Sequence, residues 1–208
     1  MIMKPLKMII DQLTLEDIRQ SLKSEKNQSD NYGIITGKKQ SAVLLPLIKI
    51  DDGWHLLFIK RTETVNHHKG QIAFPGGAFD LEDGNLLQTA LREAQEEIGL
   101  NPKHVNILGR IKSFHTTSNF TITPYVALID WPFNIILSQD EVSKVVIYPL
   151  VWLADPSNWE EKNIQLDDGS SIHAYFYLPY QGEILWGATA RIVKNFIDLL
   201  SYQSQSHS

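Results

Sequence analysis

Gly76-Gly77-Ala78-Phe79-Asp80-Leu81-Glu82-Asp83 leads through Gly84 into Asn85-Leu86-Leu87-Gln88-Thr89-Ala90-Leu91-Arg92-Glu93-Ala94-Gln95-Glu96-Glu97-Ile98-Gly99-Leu100. This reads as a loop followed by a helix with a signal at each end. Asn85 is a good N-cap with Gln88 three residues on, and Gly99 can take the left-handed conformation that ends a helix, with Leu100 folding back as its apolar contact. The expected helix is Leu86–Ile98. At about 100° per residue, Glu93, Glu96 and Glu97 share one face, while Leu87, Leu91, Ala94 and Ile98 gather on another that faces a core. Three carboxylates on adjacent turns repel each other by about 0.2–0.5 kcal/mol per exposed pair. Arg92 projects beside them and can offset part of that repulsion, but one guanidinium cannot neutralise three charges. A hard divalent cation with oxygen ligands can. The simpler reading of such a run, a solvated acidic face, is weakened by the glycine loop in front of it.

These residues resemble the signature of the Nudix hydrolases, a glycine, five residues, a glutamate, seven residues, then Arg-Glu-apolar-x-Glu-Glu-x-Gly-apolar. Arg92 to Leu100 carries the second part complete. The first part departs from it, since Asp83 stands five residues after Gly77 in place of glutamate, and eight residues rather than seven separate it from Arg92. The resemblance implies an α/β fold, a Nudix-like α/β/α sandwich with a mixed β-sheet. It also implies Mg²⁺ or Mn²⁺ held by Glu93, Glu97, Glu96 and the Gly76 carbonyl. In that scheme Glu96 serves as ligand or proton acceptor and Arg92 orients the carboxylates.

Upstream, Arg61, His67, His68 and Lys69 place cationic or proton-sharing groups next to the acidic helix, as a phosphate-rich substrate requires. The segment resembles the stretch found in the coenzyme A diphosphatase branch of the family. Arg61, Gly70 and Phe74-Pro75-Gly76-Gly77 fall at matching positions; Asn66 stands where that branch has a second arginine, Ile59 where it has threonine and Thr62 where it has Ser or Ala. Thr117–Pro124 and Ile184–Arg191 are similar to that branch as well, so the resemblance spans roughly residues 40 to 200. Arg61, His68, Lys69 and Gly77 are the expected substrate-binding residues. Glu141 is a further candidate ligand or base, set against the plainer role of a turn carboxylate. His67-His68 makes a poor metal pair because neighbours on an extended chain point apart, and Thr117, Ser118 and His115 show no third group that would complete a nucleophile system.

Along the remainder of the 208 residues, Thr14–Ser24 reads as a short amphipathic helix with Thr14 and Asp17 as a cap pair, followed by a polar tether. Ser41–Ile50 and Trp54–Lys60 flank Asp51-Asp52-Gly53 as a hairpin. Strands are expected at Val105–Ile111, Ile122–Ile129, Lys144–Leu153 (in part helical) and Ile172–Leu178, with a closing helix from about Thr189. The division this suggests is an N-terminal helix and tether over 1–36, a hydrolase domain over 37–202 and a polar tail over 203–208.

Composition bounds the function. With 43% hydrophobic and 21% charged residues the chain is an ordinary globular one, without an apolar run long enough for a membrane span or a signal peptide, so a cytoplasmic enzyme is expected. The absence of cysteine excludes disulfides, thiolate metal sites and cysteine nucleophiles. A net charge of −5 argues against nucleic acid as partner. The expected partner is a small molecule, coenzyme A or another nucleoside diphosphate derivative, and a homodimer is an assembly open to the chain. The alternatives are hydrolysis of ADP-ribose, dinucleotides or nucleoside triphosphates, or a non-catalytic binding module, which would have no need of three clustered glutamates.

Overall fold

The computed structural model describes residues 6–26, 38–64, 69–117, 119–165, 169 and 171–206. Two helices open the chain, α1 (Leu6–Asp11) and α2 (Leu15–Lys26), and α2 is closed by reciprocal bonds between Thr14 and Asp17 as expected. Then come β1 (Lys39–Ile50), β2 (Gly53–Arg61), β3 (Ile72–Ala73), β4 (Gly76–Ala78), α3 (Leu86–Ile98), β5 (Val105–Arg110), β6 (Phe114–His115), β7 (Phe120–Ile129) and β8 (Val142–Pro149). The chain finishes with α4 (Leu150–Leu153), β9 (Trp159–Gln165), β10 (Ser171–Tyr177) and α5 (Gly187–Ser206). The tether after α2 lies outside the described residues.

The central sheet is mixed, because β1 and β7 run parallel while every other pair is antiparallel. The Asp51-Asp52-Gly53 turn joins β1 to β2, with Ile50 opposite Gly53. Both central strands are covered on both faces, which explains their near-continuous apolar sequence. Ala42, Leu44, Ile48, Leu57 and Ile59 face α3, packing on Ala90, Ala94 and Ile98. Leu45, Leu47, Leu56 and Phe58 face the opposite layer, where Ile18 and Leu22 of α2 meet Val193, Phe196 and Leu200 of α5. The result is the α/β/α sandwich with a mixed sheet. Trp54 ties the N-terminal helices to this core by donating its indole N–H to the Leu13 carbonyl at 2.8 Å.

One irregularity positions the site. β1 pairs with β2 only near the hairpin turn, and further along, its partner becomes β4, with Ser41 opposite Ala78 and Val43 opposite Gly76. β2 meanwhile pairs with β3 through Ile59 and Lys60. The Gln71–Ala78 segment is thus a wedge in the gap between two diverging strands, and α3 lies across it.

Candidate active site

The helix boundaries follow the local chemistry. The Asn85 side chain accepts from the Gln88 N–H at 3.1 Å, and Gly99 sits at φ 69°, ψ 19° with its N–H on the Gln95 carbonyl. The buried stripe, however, runs through Thr89, Ala90, Ala94, Glu97 and Ile98 rather than separating cleanly from the carboxylates, and Leu87 and Leu91 are only half-buried. Glu96 is therefore 59% exposed, Glu93 16% and Glu97 1%. One acidic face spans the full range from water to interior.

The two less exposed carboxylates, Glu93 and Glu97, are directed at the Gly-Gly pair. The Gly76 N–H donates to Glu97 Oε2 at 3.0 Å. Glu93 lies so close to Gly77 that a Cβ there would stand 2.3 Å from its Oε1. Burial pushes Glu97 up to about 8, against the opposing pull of the Gly76 N–H and Arg61, and burial raises Glu93 as well.

Two guanidinium groups meet the cluster. Arg61, at the end of β2, places Nη1 3.3 Å from Glu97 Oε1. Arg92 bonds Asp83 through Nε at 2.7 Å and Nη2 at 3.2 Å, and reaches Glu93 at 2.9 Å and Glu96 at 3.0 Å through Nη1. Asp83 also accepts from Thr89 Oγ1 at 2.8 Å and from the Asp80 N–H at 3.1 Å. The Arg92 bonds, more than the others, hold its carboxyl well below the usual carboxylate range. Asp83 is thus the anchor that fixes Arg92, a role its spacing from the helix does not disclose.

Glu141 belongs to the same neighbourhood. Ser138 donates its N–H to the Glu97 carbonyl at 3.1 Å, Glu141 donates to Ser138 at 3.0 Å, and the Thr62 N–H donates to the Glu141 carbonyl at 2.9 Å. These bonds fix the backbone between the end of α3 and the end of β2, and the Glu141 charge acts on both Glu93 and Glu97. Lys69 stands exposed before the turn at Gly70 and makes no ion pair with the helix carboxylates. Asn66, His67, His68 and Ser118 lie outside the described residues. The His115 and Thr117 combination is not assembled as a nucleophile site, because His115 Nδ1 lies 2.9 Å from Thr121 Oγ1 instead.

As the side chains lie, no three carboxylates among the described residues close round a common point; Arg61 and Arg92 stand between them as counter-cations. The donors are nonetheless all oxygen, and two of them, buried Glu97 and partly buried Glu93, stand against a backbone with no side chain in the way. Such a set fits a hard divalent cation.

The NUDIX domain matches residues 38–193 of the chain. The chain belongs to the Nudix hydrolase family. Its curated relatives include the uncharacterized Nudix hydrolase NudL of Enterobacter sp. (strain 638), 34% identical over 184 residues that cover 88% of this chain and 92% of the relative. Another is the NudL of Cronobacter sakazakii, 35% identical over 159 residues covering 76% and 80%. Among solved structures, the MutT protein of Methanosarcina mazei Go1 is similar over 85% of this chain and 99% of its own, at 16% identity and a TM-score of 0.48. The NUDIX domain of Shewanella oneidensis NrtR, in complex with ADP ribose, covers 66% and 84% at 19% identity and a TM-score of 0.46. Nudix hydrolases generally use divalent metal ions. No helix among the described residues is long and apolar enough to cross a membrane.

Proposed function

We propose that this Nudix hydrolase is a cytoplasmic diphosphatase of coenzyme A and its derivatives, dependent on Mg²⁺ or Mn²⁺ and releasing 4′-phosphopantetheine and adenosine 3′,5′-bisphosphate. The observation that carries the chemistry is the pair of carboxylates, buried Glu97 and partly buried Glu93, set against Gly76-Gly77 with arginines at hand. The substrate is supported by the resemblance of the Arg61–Gly77 segment to the coenzyme A branch. Glu93 and Glu97, with Glu96 and the Gly76 carbonyl, would hold the cation. When bound, it acidifies water and neutralises the charge of a diphosphate. Gly77 admits the substrate phosphates close to the backbone, and Lys69 and His68 are the further residues assigned to substrate binding. Arg92, pinned by Asp83, keeps Glu93 and Glu96 in place. Glu141 takes the proton from the attacking water.

Arg61 has two partners in this scheme. In the metal-free protein its guanidinium lies 3.3 Å from Glu97 Oε1, and once Glu97 is engaged elsewhere the fork is released to the diphosphate, whose paired oxygens it suits. Arg61→Ala is therefore expected to raise KM for coenzyme A. In EDTA at pH 9, where Glu97 is charged, the same variant is expected to lose about 2 kcal/mol of stability, because a buried acceptor is left unmatched. At pH 6, where Glu97 is protonated, the loss should largely vanish. Denaturant titrations at the two pH values check this, and equal losses at both would separate Arg61 from Glu97.

Glu141→Gln is expected to lower kcat by about 10²-fold with KM little changed, since assistance by a general base is felt in the transition state. A full kcat in that variant would leave Glu141 as a turn carboxylate. The substrate itself is tested by incubating the purified protein, with Mg²⁺ or Mn²⁺, with coenzyme A, ADP-ribose, a dinucleotide and a nucleoside triphosphate, and resolving the products. Coenzyme A should have the highest kcat/KM; a clear preference for any other compound would replace the substrate and keep the diphosphatase chemistry.

A further inference from the structure

The site described above explains the Gly-Gly loop and the helix, but not the two later stretches that resemble the coenzyme A branch. They are far apart in sequence, and the fold brings Thr117 of one and Gly187, Ala188 and Arg191 of the other to a single cavity of about 290 Å³ between β6, β10 and the start of α5. Its walls combine three kinds of chemistry. Tyr175 offers aromatic surface, His115, His173 and Thr116 offer polar groups, and Arg191 offers a fixed cation. The Arg191 guanidinium lies over the Phe114 ring, 4.8 Å from its centroid, and forms no ion pair with a carboxylate among the described residues. Stacking on the ring orients the planar fork without consuming its N–H donors. Glu161 borders the same wall through its 3.2 Å contact with His173 and adds a hydrogen-bond acceptor.

The cavity is also placed at a useful distance. His115 on β6 is paired with Thr121 on β7, Thr121 with Gln40 on β1, and the Gln40 carbonyl accepts from the Phe79 N–H where the chain leaves β4. Three strand spacings of about 4.8 Å separate the cavity from the exit of the Gly-Gly strand, roughly 14 Å across the same end of the sheet. A nucleotide whose diphosphate lies at the Gly-Gly loop can extend that far.

We propose that this cavity is the subsite for the phosphorylated nucleoside end of the substrate, with the 3′-phosphate of coenzyme A on Arg191 and the adenosine against Tyr175. The assignment rests on the coenzyme A reading given above. A phosphate matches a guanidinium whose donors are open, and an adenine matches aromatic surface with an acceptor beside it. Pantetheine, uncharged and flexible along its length, has amide carbonyls but no anion to match the charge of Arg191.

Arg191→Ala tests this through the difference between coenzyme A and dephospho-coenzyme A. KM for coenzyme A should rise about 10- to 100-fold, the range of a lost charge-assisted hydrogen bond, while KM for dephospho-coenzyme A stays nearly constant. Arg191→Lys, which keeps the charge but not the fork, should fall between. In calorimetry without metal, adenosine 3′,5′-bisphosphate should bind the wild-type protein and lose affinity in Arg191→Ala, and 4′-phosphopantetheine should show no difference between the two. Equal effects on both substrates, an unchanged KM for coenzyme A, or a loss confined to 4′-phosphopantetheine would each overturn the assignment. Failure of the wild-type protein to cleave coenzyme A while it still binds the bisphosphate through Arg191 would refute the substrate reading and keep the subsite. Cleavage of coenzyme A untouched by Arg191→Ala would do the reverse.

Discussion

Glu97→Gln is expected to lower kcat for diphosphate cleavage by about 10²–10³-fold, the cost of several kcal/mol of charge stabilisation in the transition state, while the protein stays folded. Glutamine has the same shape, and its side-chain carbonyl can still accept the Gly76 N–H that now goes to Oε2. The charge is removed, and the atom that faces Arg61 becomes an amide NH2, which cannot accept from the guanidinium. Arg61 loses its partner, but at 23% side-chain exposure it can turn to water.

The stability of the metal-free protein gives this variant a second signature. Burial raises Glu97 from 4.5 to about 8, so the folded state holds its proton more tightly than the unfolded chain does. The contribution of this group is therefore fully favourable below pH 4.5 and is lost as pH rises towards about 8. In EDTA the wild-type protein should lose stability across that window more steeply than Glu97→Gln, which has no proton to lose. Denaturant midpoints at pH 5 and pH 8 check the slope, and parallel curves for the two proteins would remove Glu97 as its source.

Gly76→Ala is expected to have the largest effect on stability, a loss of about 2–4 kcal/mol from combined overpacking and backbone strain. Gly76 has φ 156°, and a Cβ there would stand 2.4 Å from the Ala42 carbonyl oxygen and 2.6 Å from Val43 Cα. Backbone atoms of a central strand cannot swing aside as the end of a flexible side chain can, so β4 must retreat from β1. That retreat moves the N–H held by Glu97, and activity should fall with stability. Gly84→Ala is the control, because Gly84 has φ 73° with nothing within 4 Å of the added atom. It should lose only about 1–2 kcal/mol, from backbone strain alone. Similar losses in both variants would mean that the approach of β4 to β1 is not tight.

How much of this was legible in the sequence depended on how local each cause was. The limits of α3 follow from Asn85 and Gly99 acting on their own neighbours, and both ends stand where the sequence places them. The β1–β2 hairpin and the closing helix were readable for the same reason, although α5 begins at Gly187, two residues before the expected start. Between Lys144 and Leu153 the sequence reads as strand with helical character, and the chain divides there into β8 and α4. α1 and β9 carried no usable pattern. α1 is short and relies on burying Ile10, and β9 is a largely exposed strand, Trp-Glu-Glu-Lys-Asn-Ile-Gln, stabilised by pairing with β10.

Within the site, the shared face of Glu93, Glu96 and Glu97 is a matter of helical spacing and was visible. Their unequal burial was not, because it is set by the β3–β4 wedge and by β2, which come from elsewhere in the chain. The Arg61–Glu97 pair crosses 36 residues, and the Arg92–Asp83 pair joins a helix to the turn before it at no regular spacing. Neither has a periodic signature. The segment's resemblance to a known family marked Arg61 as important without saying which group it meets.

The claim that the α3 carboxylates hold the divalent cation is tested most directly by titrating Mn²⁺ into the protein in a calorimeter, in the absence of substrate. The wild-type protein should bind saturably, and Glu93→Gln and Glu97→Gln should each weaken that binding by at least about tenfold, the loss of one charged ligand from a site whose affinity follows its ligand charge count. Unchanged Mn²⁺ affinity in both variants would contradict the account.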